Sequence, residues 1–234
     1  MTQELQGLVQ LFEARADQRR GAVLAFVGVT GGCGTSTCAR AFSRLIAPNA
    51  ARGVWLFDLD FYVNEQYKIF ASPAANRVYG GIGAPLDPTL KMDPFWRVSL
   101  LSHTANKREN AHYMTLHQTG SHRLFVSRFR TEALRIGQDI HITRAPAYWQ
   151  RMRDAIDLAV IDVPARDRSR SILRIAPDVD GVILVAEPQT HPRQLISLQR
   201  EIEAAGGTCL GLVYNAPQAM PHAWPNLVSR QANR

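Results

Sequence analysis

A glycine-rich turn between an apolar run and a helical pattern constrains the fold of this chain more than any other stretch. Residues 27–37 read VGVTGGCGTST, residues 22–27 are apolar, and apolar side chains recur at helical spacing over 36–46. In such a turn the glycines let backbone N–H groups close around a phosphate, and the helix that follows adds the positive end of its dipole. The stretch therefore predicts a phosphate-binding loop between a strand and a helix.

The residues that give such a loop its chemistry are only partly present. The pattern G-x-x-x-x-G-K-[ST] uses its lysine to reach the β and γ phosphates and its hydroxyl to hold Mg²⁺. Ser36 supplies the hydroxyl, but Thr35 stands at the lysine position and Val29 at the first glycine, and no lysine precedes Lys68. Losing a charge-assisted phosphate contact weakens binding by about 1.5–3 kcal/mol. Phosphoryl transfer suffers more, because it depends on stabilising the developing charge.

Alternating apolar runs and helical patterns predict the α/β class, with a mostly parallel sheet and helices on both faces. Taken with the phosphate-binding-loop pattern at 27–37, this indicates a three-layer, Rossmann-like architecture similar to that of P-loop NTPases. Residues 64–122 are a poorly patterned insertion, broken by glycine and proline in its first half and predicted as a polar helix and turn over 103–122. The predicted strands are 22–27, 53–57, 123–128, 158–163, 181–186 and 209–214, and the predicted helices are 3–19, 36–46, 147–156 and one carrying Leu195, Ile196, Leu198 and Ile202.

Length and composition favour a single large domain over residues 1–216, with residues 217–234 as a loose tail. No apolar run reaches transmembrane length and the N-terminus lacks a signal pattern, so we expect a cytoplasmic protein. The formal net charge of +7 comes mostly from scattered arginines, which favours a solvated or partner-facing surface over nucleic-acid binding. The spacing of the three cysteines and of the histidines matches no metal site, so we expect free thiols and surface histidines at His103, His112, His117 and His122.

Aspartates stand at the ends of two predicted strands. Asp58 and Asp60 follow the strand 53–57, and Asp162 follows four apolar residues of the strand 158–163. The carboxyl end of a buried parallel strand faces the ligand crevice of an open α/β sheet, and a Walker B aspartate at such an end orients Mg²⁺ or its waters. The alternative for the first pair is that it caps the next turn.

The order of the motifs resembles that of the MinD/ParA-type P-loop ATPases. After the glycine loop come LFDLD at 56–60, VIDVP at 160–164, DGVILV at 180–185 and GLVYN at 211–215. Within that group the chain is most similar to the cytoplasmic bacterial tyrosine-kinase domains of capsule and exopolysaccharide synthesis, over about residues 3–216.

The resemblance implies ATP or ADP with Mg²⁺ as the cofactor, bound weakly because the lysine is missing. It gives Asp58, Asp60 and Asp162 the catalytic positions if the protein is active, and Ser36, Asp58 and Asp162 the Mg²⁺ site. The nucleotide would contact Gly31, Gly32, Cys33, Gly34, Thr35, Ser36 and Thr37, with Asn215 on the adenine side.

The chain departs from the family where catalysis would occur. Besides Thr35, Thr30 replaces the signature lysine of the MinD/ParA branch, and Tyr62 stands where the kinases carry an arginine. The C-terminal tyrosine cluster of the kinases is missing, since Tyr214 is the only tyrosine after Tyr148. The glutamate-arginine oligomerisation motif has no clean match in the first helix. These departures speak against an autokinase.

The leading hypothesis is a degenerate, largely non-catalytic member that acts as a cytoplasmic regulator or scaffold of exopolysaccharide (capsule or adhesin) synthesis and export. By analogy its partner is a membrane-bound chain-length or export protein that recruits it to the inner membrane, and it forms a homodimer or higher oligomer. One alternative is an active ATPase or kinase with a substitute arginine from Arg166, Arg168 or Arg170. Another is a pilus-assembly localisation factor of the same superfamily. DNA partitioning is the least favoured role.

Overall fold

The computed structural model describes Leu5 and residues 7–10, 20–100, 103–104, 110–120 and 122–215. Leu5 and residues 7–10 are helical, which agrees with the predicted first helix as far as it is described. The strands are β1 (Ala22–Gly28), β2 (Val54–Asp58), β3 (Ile82–Leu86), β4 (Trp96–Leu100), β5 (His103–Thr104), β6 (Met114–Thr119), β7 (Leu124–Phe129), β8 (Asp139–Ile142), β9 (Leu158–Val163), β10 (Gly181–Ala186) and β11 (Cys209–Tyr214). The helices are α1 (Thr35–Ile46), α2 (Glu65–Phe70), α3 (Pro73–Tyr79), α4 (Pro146–Ala155), α5 (Ser171–Ile175) and α6 (Pro192–Ala204), with 3-10 turns at Ala47–Asn49, Thr131–Ala133 and Ala176–Asp178.

The main sheet has eight strands in the order β11-β10-β1-β9-β2-β7-β6-β3. The first six of these run parallel, while β6 is antiparallel to β7 and β3 is antiparallel to β6. The six predicted strands, the helices predicted over 36–46 and 147–156 and the helix carrying Leu195 are confirmed to within a residue or two, and so is the predicted fold class. The carboxyl ends of β1, β9 and β2 meet at the centre of the sheet.

Both faces of the sheet are covered. Side chains of β1 alternate between two cores, with Val23, Ala25 and Val27 on one face and Leu24 and Phe26 on the other. Helix α1 covers the second face, and α4, α5 and α6 cover the first, together with part of a small sheet of order β5-β4-β8. The buried runs of β9 and β10 follow from this double coverage.

The insertion 64–122 differs from the sequence prediction. The described part of 103–122 contains the strands β5 and β6 instead of a polar helix and turn, and β3 and β6 extend the main sheet at one edge. Strand β6 buries Met114 and Leu116 on one side. These two residues have the alternation of a strand, but the other four residues of β6 are polar, so the sequence gives too short an apolar pattern to predict it. The prediction that His117 is a surface histidine is wrong, since the residue is buried. Its two ring nitrogens have hydrogen-bond partners inside the protein, Thr115 Oγ1 at 2.9 Å and the Gly83 carbonyl at 3.0 Å.

Asn64 fixes the segment between β2 and α2. It adopts φ of 52°, a left-handed conformation that asparagine tolerates better than most residues. Its Nδ2 donates to the carbonyls of Phe61 and Phe129 at 2.9 Å each, and its Oδ1 accepts from the Phe129 N–H at 2.6 Å. The buried amide therefore ties the turn after β2 to the end of β7. No helix within the described ranges is long and apolar enough to cross a membrane.

Replacing Asn64 with alanine is expected to lower the free energy of unfolding by about 2–4 kcal/mol, because it leaves the buried Phe129 N–H and two carbonyls without partners. Urea unfolding of both proteins measures the difference. Asn64→Gly is the matched control, since glycine adopts the same φ without strain but makes no side-chain bond. A glycine variant as stable as the unaltered protein would show that backbone strain, and not the hydrogen bonds, decides the effect.

Candidate functional site

The loop between β1 and α1 has the geometry of a phosphate cradle. Gly32 and Gly34 adopt φ of 88° and 85°, which turns successive N–H groups toward the N-terminus of α1. Gly34 also lies against Asn215, whose amide nitrogen would overlap any Cβ at that position and which donates to the Cys33 carbonyl at 3.1 Å. Asn215 therefore supports the loop from behind.

Thr35 does not provide the positive charge that the lysine of a phosphate-binding loop places against the phosphates. Its side chain is only 7% exposed, and its Oγ1 lies 3.2 Å from the buried Cys33 Sγ. Both atoms fill the space above Gly28, where a Cβ would overlap the cysteine sulfur. The hydroxyl thus packs beneath the loop, and this position contributes no cation to the cavity.

Two buried carboxylates face each other across adjacent strands. Asp58 ends β2 and pairs in register with Asp162 of β9, and they are 3% and 4% exposed. Burial, with the charge of Asp162 as a second cause, raises the pKa of Asp58 to about 7. Burial raises the pKa of Asp162 to about 6, although hydrogen bonds from Gln66 and Ser36 lower it. Asp58 also accepts the Asp60 and Gln66 N–H groups at 2.9 and 3.0 Å, so it caps the next turn, as the alternative interpretation has it.

Gln66 connects the two carboxylates to the loop. It is fully buried, and its Nε2 donates to Asp162 Oδ2 at 2.7 Å and to the Ser36 carbonyl at 2.9 Å. Its Oε1 accepts from Arg40 Nη1 at 2.9 Å. The side-chain amide thus satisfies one oxygen of the Walker B-like aspartate, and Arg40 of α1 places a positive charge behind it.

The segment after β9 covers the mouth of the loop. Both Asp167 oxygens lie within 3.1 Å of the Gly31 nitrogen, so this carboxylate accepts a loop N–H that could face a phosphate. Arg168 Nη2 bonds to Asp60 Oδ2 at 2.8 Å. Of the three candidate substitute arginines, Arg168 alone lines the cavity, since Arg166 pairs with Glu201 at 2.7 Å and Arg170 lies in a neighbouring groove.

These residues enclose a cavity of about 240 Å³ whose lining carries four acidic side chains and one basic side chain, Arg168. The N–H groups of Gly32, Gly34, Thr35 and Ser36 have no acceptor among the described residues and could hold phosphate oxygens. Mg²⁺ binds through one or two carboxylates with water and phosphate, so Ser36 with Asp58 or Asp162 fits it. No group of three or more His, Cys, Asp or Glu side chains within the described ranges forms a protein-only metal site.

Most of the predicted site residues come together at this cavity. The Cys33 side chain and Asn215 do not line it, because the first points into the core beneath the loop and the second packs behind it. Gln66, Arg40 and Asp167 are parts of the site that sequence reasoning missed, since they belong to no motif and reach it only through folding. The predicted residues that line the cavity are Gly31, Gly32, Gly34, Thr35, Ser36, Thr37, Asp58, Asp60 and Asp162.

Comparison with known proteins supports the fold. The chain matches no family model and no curated protein. Among solved structures it is similar to the kinase domain of Escherichia coli tyrosine kinase ETK, with a TM-score of 0.54 and 15% identity over 94% of this chain and 78% of that one. The BceF tyrosine kinase domain gives a TM-score of 0.56 and 17% identity over 91% and 76% of the two chains.

A third similar structure is cobyrinic acid a,c-diamide synthase from Mycobacterium smegmatis, which holds ADP and magnesium, with a TM-score of 0.52 and 16% identity over 83% and 74% of the two chains. These likenesses confirm the predicted P-loop fold. At such identities they concern the fold alone.

Asp162→Asn is expected to stabilise the protein at neutral pH and to leave its stability near pH 4 unchanged. Because the folded chain holds the Asp162 proton up to about pH 6, against an ordinary pKa of 3.8, the stability from that carboxyl is present below about pH 4 and is lost as pH rises through 6. The asparagine variant escapes this loss of about 1–3 kcal/mol. Urea unfolding without Mg²⁺ at several pH values measures it, and exposed Asp154→Asn is the control. A pH-independent difference would contradict the assignment.

Asp167→Ala is expected to bind Mg²⁺–ADP about fivefold more tightly than the unaltered chain, because it frees the Gly31 N–H and removes a negative charge from the mouth of the cavity. Calorimetric titration measures the change. Asp167→Asn keeps an acceptor without the charge and should lie between the two, whereas Asp154→Ala removes a distant carboxylate and should have no effect. Equal affinities for the alanine variant and the unaltered chain would show that the contact does not compete with phosphate.

Proposed function

We propose that this protein is a degenerate, largely non-catalytic relative of the P-loop ATPases and tyrosine kinases that acts as a cytoplasmic regulator or scaffold. One observation carries the proposal: the groups at the phosphate cavity are bound to one another. Gln66 holds Asp162, Arg168 holds Asp60, and Asp167 takes the Gly31 N–H. Thr35, at the lysine position, is packed beneath the loop.

The charge of the cavity supports weak nucleotide binding and inefficient turnover. Phosphoryl transfer relies on cations and donors that stabilise the charge of the transferred group. Here four carboxylates surround the space for the phosphates, and Arg168, the one basic side chain in the described lining, already pairs with Asp60. A nucleotide would have to arrive with Mg²⁺ and break these contacts, which opposes its binding.

The setting follows from the resemblance of the motif order to the tyrosine-kinase domains of capsule and exopolysaccharide synthesis. We assign the protein to the synthesis or export of an exopolysaccharide, capsule or adhesin. Its partner in this proposal is a membrane-bound chain-length or export protein that brings it to the inner membrane, and it acts as a homodimer or higher oligomer. A retained fold beside altered catalytic positions is what a regulatory descendant of an enzyme would show.

Arg168 favours one alternative, an active ATPase with a substitute arginine. Its guanidinium lines the cavity and is exposed, so it could leave Asp60 for a phosphate. The active-ATPase hypothesis requires Mg²⁺-dependent nucleotide turnover that Arg168→Ala abolishes. The scaffold hypothesis requires turnover close to the uncatalysed rate with or without Arg168.

Thr35→Lys is expected to bind Mg²⁺–ADP about 10- to 100-fold more tightly than the natural protein, because a lysine at the start of α1 adds a charge-assisted phosphate contact of about 1.5–3 kcal/mol. Calorimetric titration with ADP and ATP, with and without Mg²⁺, measures it. Thr35→Met is the matched control, since it adds a chain of comparable length without charge. Micromolar ATP binding and turnover by the natural protein would overturn the proposal in favour of an active enzyme.

A further inference from the structure

A second and larger groove adjoins the phosphate cavity and plays no part in the function proposed above. Its volume is about 810 Å³, within the range of sites that bind small ligands or short peptide segments. Its walls are residues 59–62 after β2, residues 140–142 of β8 and residues 168–171, 173 and 174 around α5, with Pro164 between them. Arg168 and Asp60 line both the groove and the phosphate cavity.

The charge of the groove is strongly positive. Arg168, Arg170, Arg174 and His141 line it, and the one acidic lining residue, Asp60, is paired with Arg168. The exposed guanidinium groups of Arg170 and Arg174 have no carboxylate within ion-pair distance among the described residues. Two uncompensated arginines at one groove predict a ligand with carboxylate or phosphate groups.

The shape and polarity of the groove favour an extended peptide. Within the described part of the chain β8 pairs with β4 alone, so its other edge presents unpaired backbone groups. Three consecutive residues of β8, 140–142, line the groove. Consecutive side chains of a strand point to opposite faces of the sheet, so a groove lined by all three runs along the edge of the strand and not over one face. Tyr62 adds exposed aromatic surface at the groove, since it is 63% exposed, whereas Leu59 and Phe61 line the groove but are buried.

We propose that this groove binds an extended acidic peptide segment of a partner protein, with main-chain contacts along β8 and carboxylates paired to Arg170 and Arg174. Strand edges give such sites affinity, while side-chain pockets and charges give specificity. The proposal rests on the proposed function only in that a regulator needs a partner. The peptide site includes no residue of the glycine loop, so an experiment can contradict peptide binding without contradicting the proposed function, and the reverse.

Charge argues against the other occupants. Residues 216–234 of this chain contain no aspartate or glutamate and two arginines, so they do not complement the groove. A second copy carries the same formal charge of +7 and would bring like charges together. An acidic polysaccharide would match the arginines but has no backbone N–H groups to pair with β8.

The test is fluorescence anisotropy with the full chain and a labelled dodecapeptide of alternating glutamate and leucine. We expect saturable binding that weakens with salt, and no binding of the corresponding lysine-leucine peptide. The double variant Arg170→Glu, Arg174→Glu should lose at least about tenfold in affinity, because each change turns an attraction into a repulsion. Arg193→Glu with Arg200→Glu, at exposed positions of α6, is the matched control and should bind like the unaltered chain.

Other outcomes would overturn the proposal. Equal loss in the α6 control would mean that net charge, and not the groove, attracts the peptide. Displacement of the peptide by sodium alginate at equal carboxylate concentration would favour an acidic glycan. Self-association that only the groove variant loses would make a second copy the occupant. Thermal unfolding of each variant, with Arg170→Gln, Arg174→Gln as a milder pair that should lose affinity by several-fold, separates lost binding from lost folding.

Discussion

The arrangement of the site depends on two buried carboxylates at the ends of adjacent strands. Asp58 and Asp162 are paired in register, so neither can leave without breaking the centre of the sheet. Carboxylates buried side by side are unfavourable unless donors or protons compensate them. Gln66 supplies a backbone N–H to one and a side-chain amide to the other, and the raised pKa values of both acids show that the compensation is incomplete. The site is thus poised to accept a cation or a proton.

The glycine loop, which carries Thr35 where the phosphate-binding pattern has a lysine, is likewise held by internal contacts. Without a cation at position 35, a small hydroxyl fits against Cys33 and Gly28 and completes the packing beneath the loop. The Gly31 N–H, which a phosphate could otherwise take, bonds to Asp167 instead. Each internal contact lowers the free energy of the empty site, and a nucleotide has to displace it. The loop therefore keeps the shape of a phosphate cradle, while its internal contacts compete with a bound nucleotide and lower its affinity.

The sequence predicted the parts of this structure that follow from local periodicity. The buried runs of β1, β9 and β10 and the helix after Ser36 are such parts, and the aspartates at the strand ends lie at the cavity as expected. The prediction for the insertion was wrong because β6 carries only two apolar residues, Met114 and Leu116, on one face and polar residues, including the buried His117, on the other, so the apolar alternation is too short to recognise. Gln66 could not be recognised, because only the fold brings its side chain to Asp162 near the carboxyl end of β9. Charge balance at the cavity likewise depends on pairings between segments far apart in sequence.

The ion pair between Arg168 and Asp60 joins the phosphate cavity to the basic groove. Because both residues line both spaces, a group that draws Arg168 into the groove leaves Asp60 uncompensated beside the glycine loop. The cavity then becomes more negative, which favours a divalent cation and opposes a bare phosphate. Linkage makes the effect reciprocal, so whatever binds at the loop also changes the affinity of the groove by the same factor. Through this shared ion pair, the occupancy of one space changes the binding properties of the other.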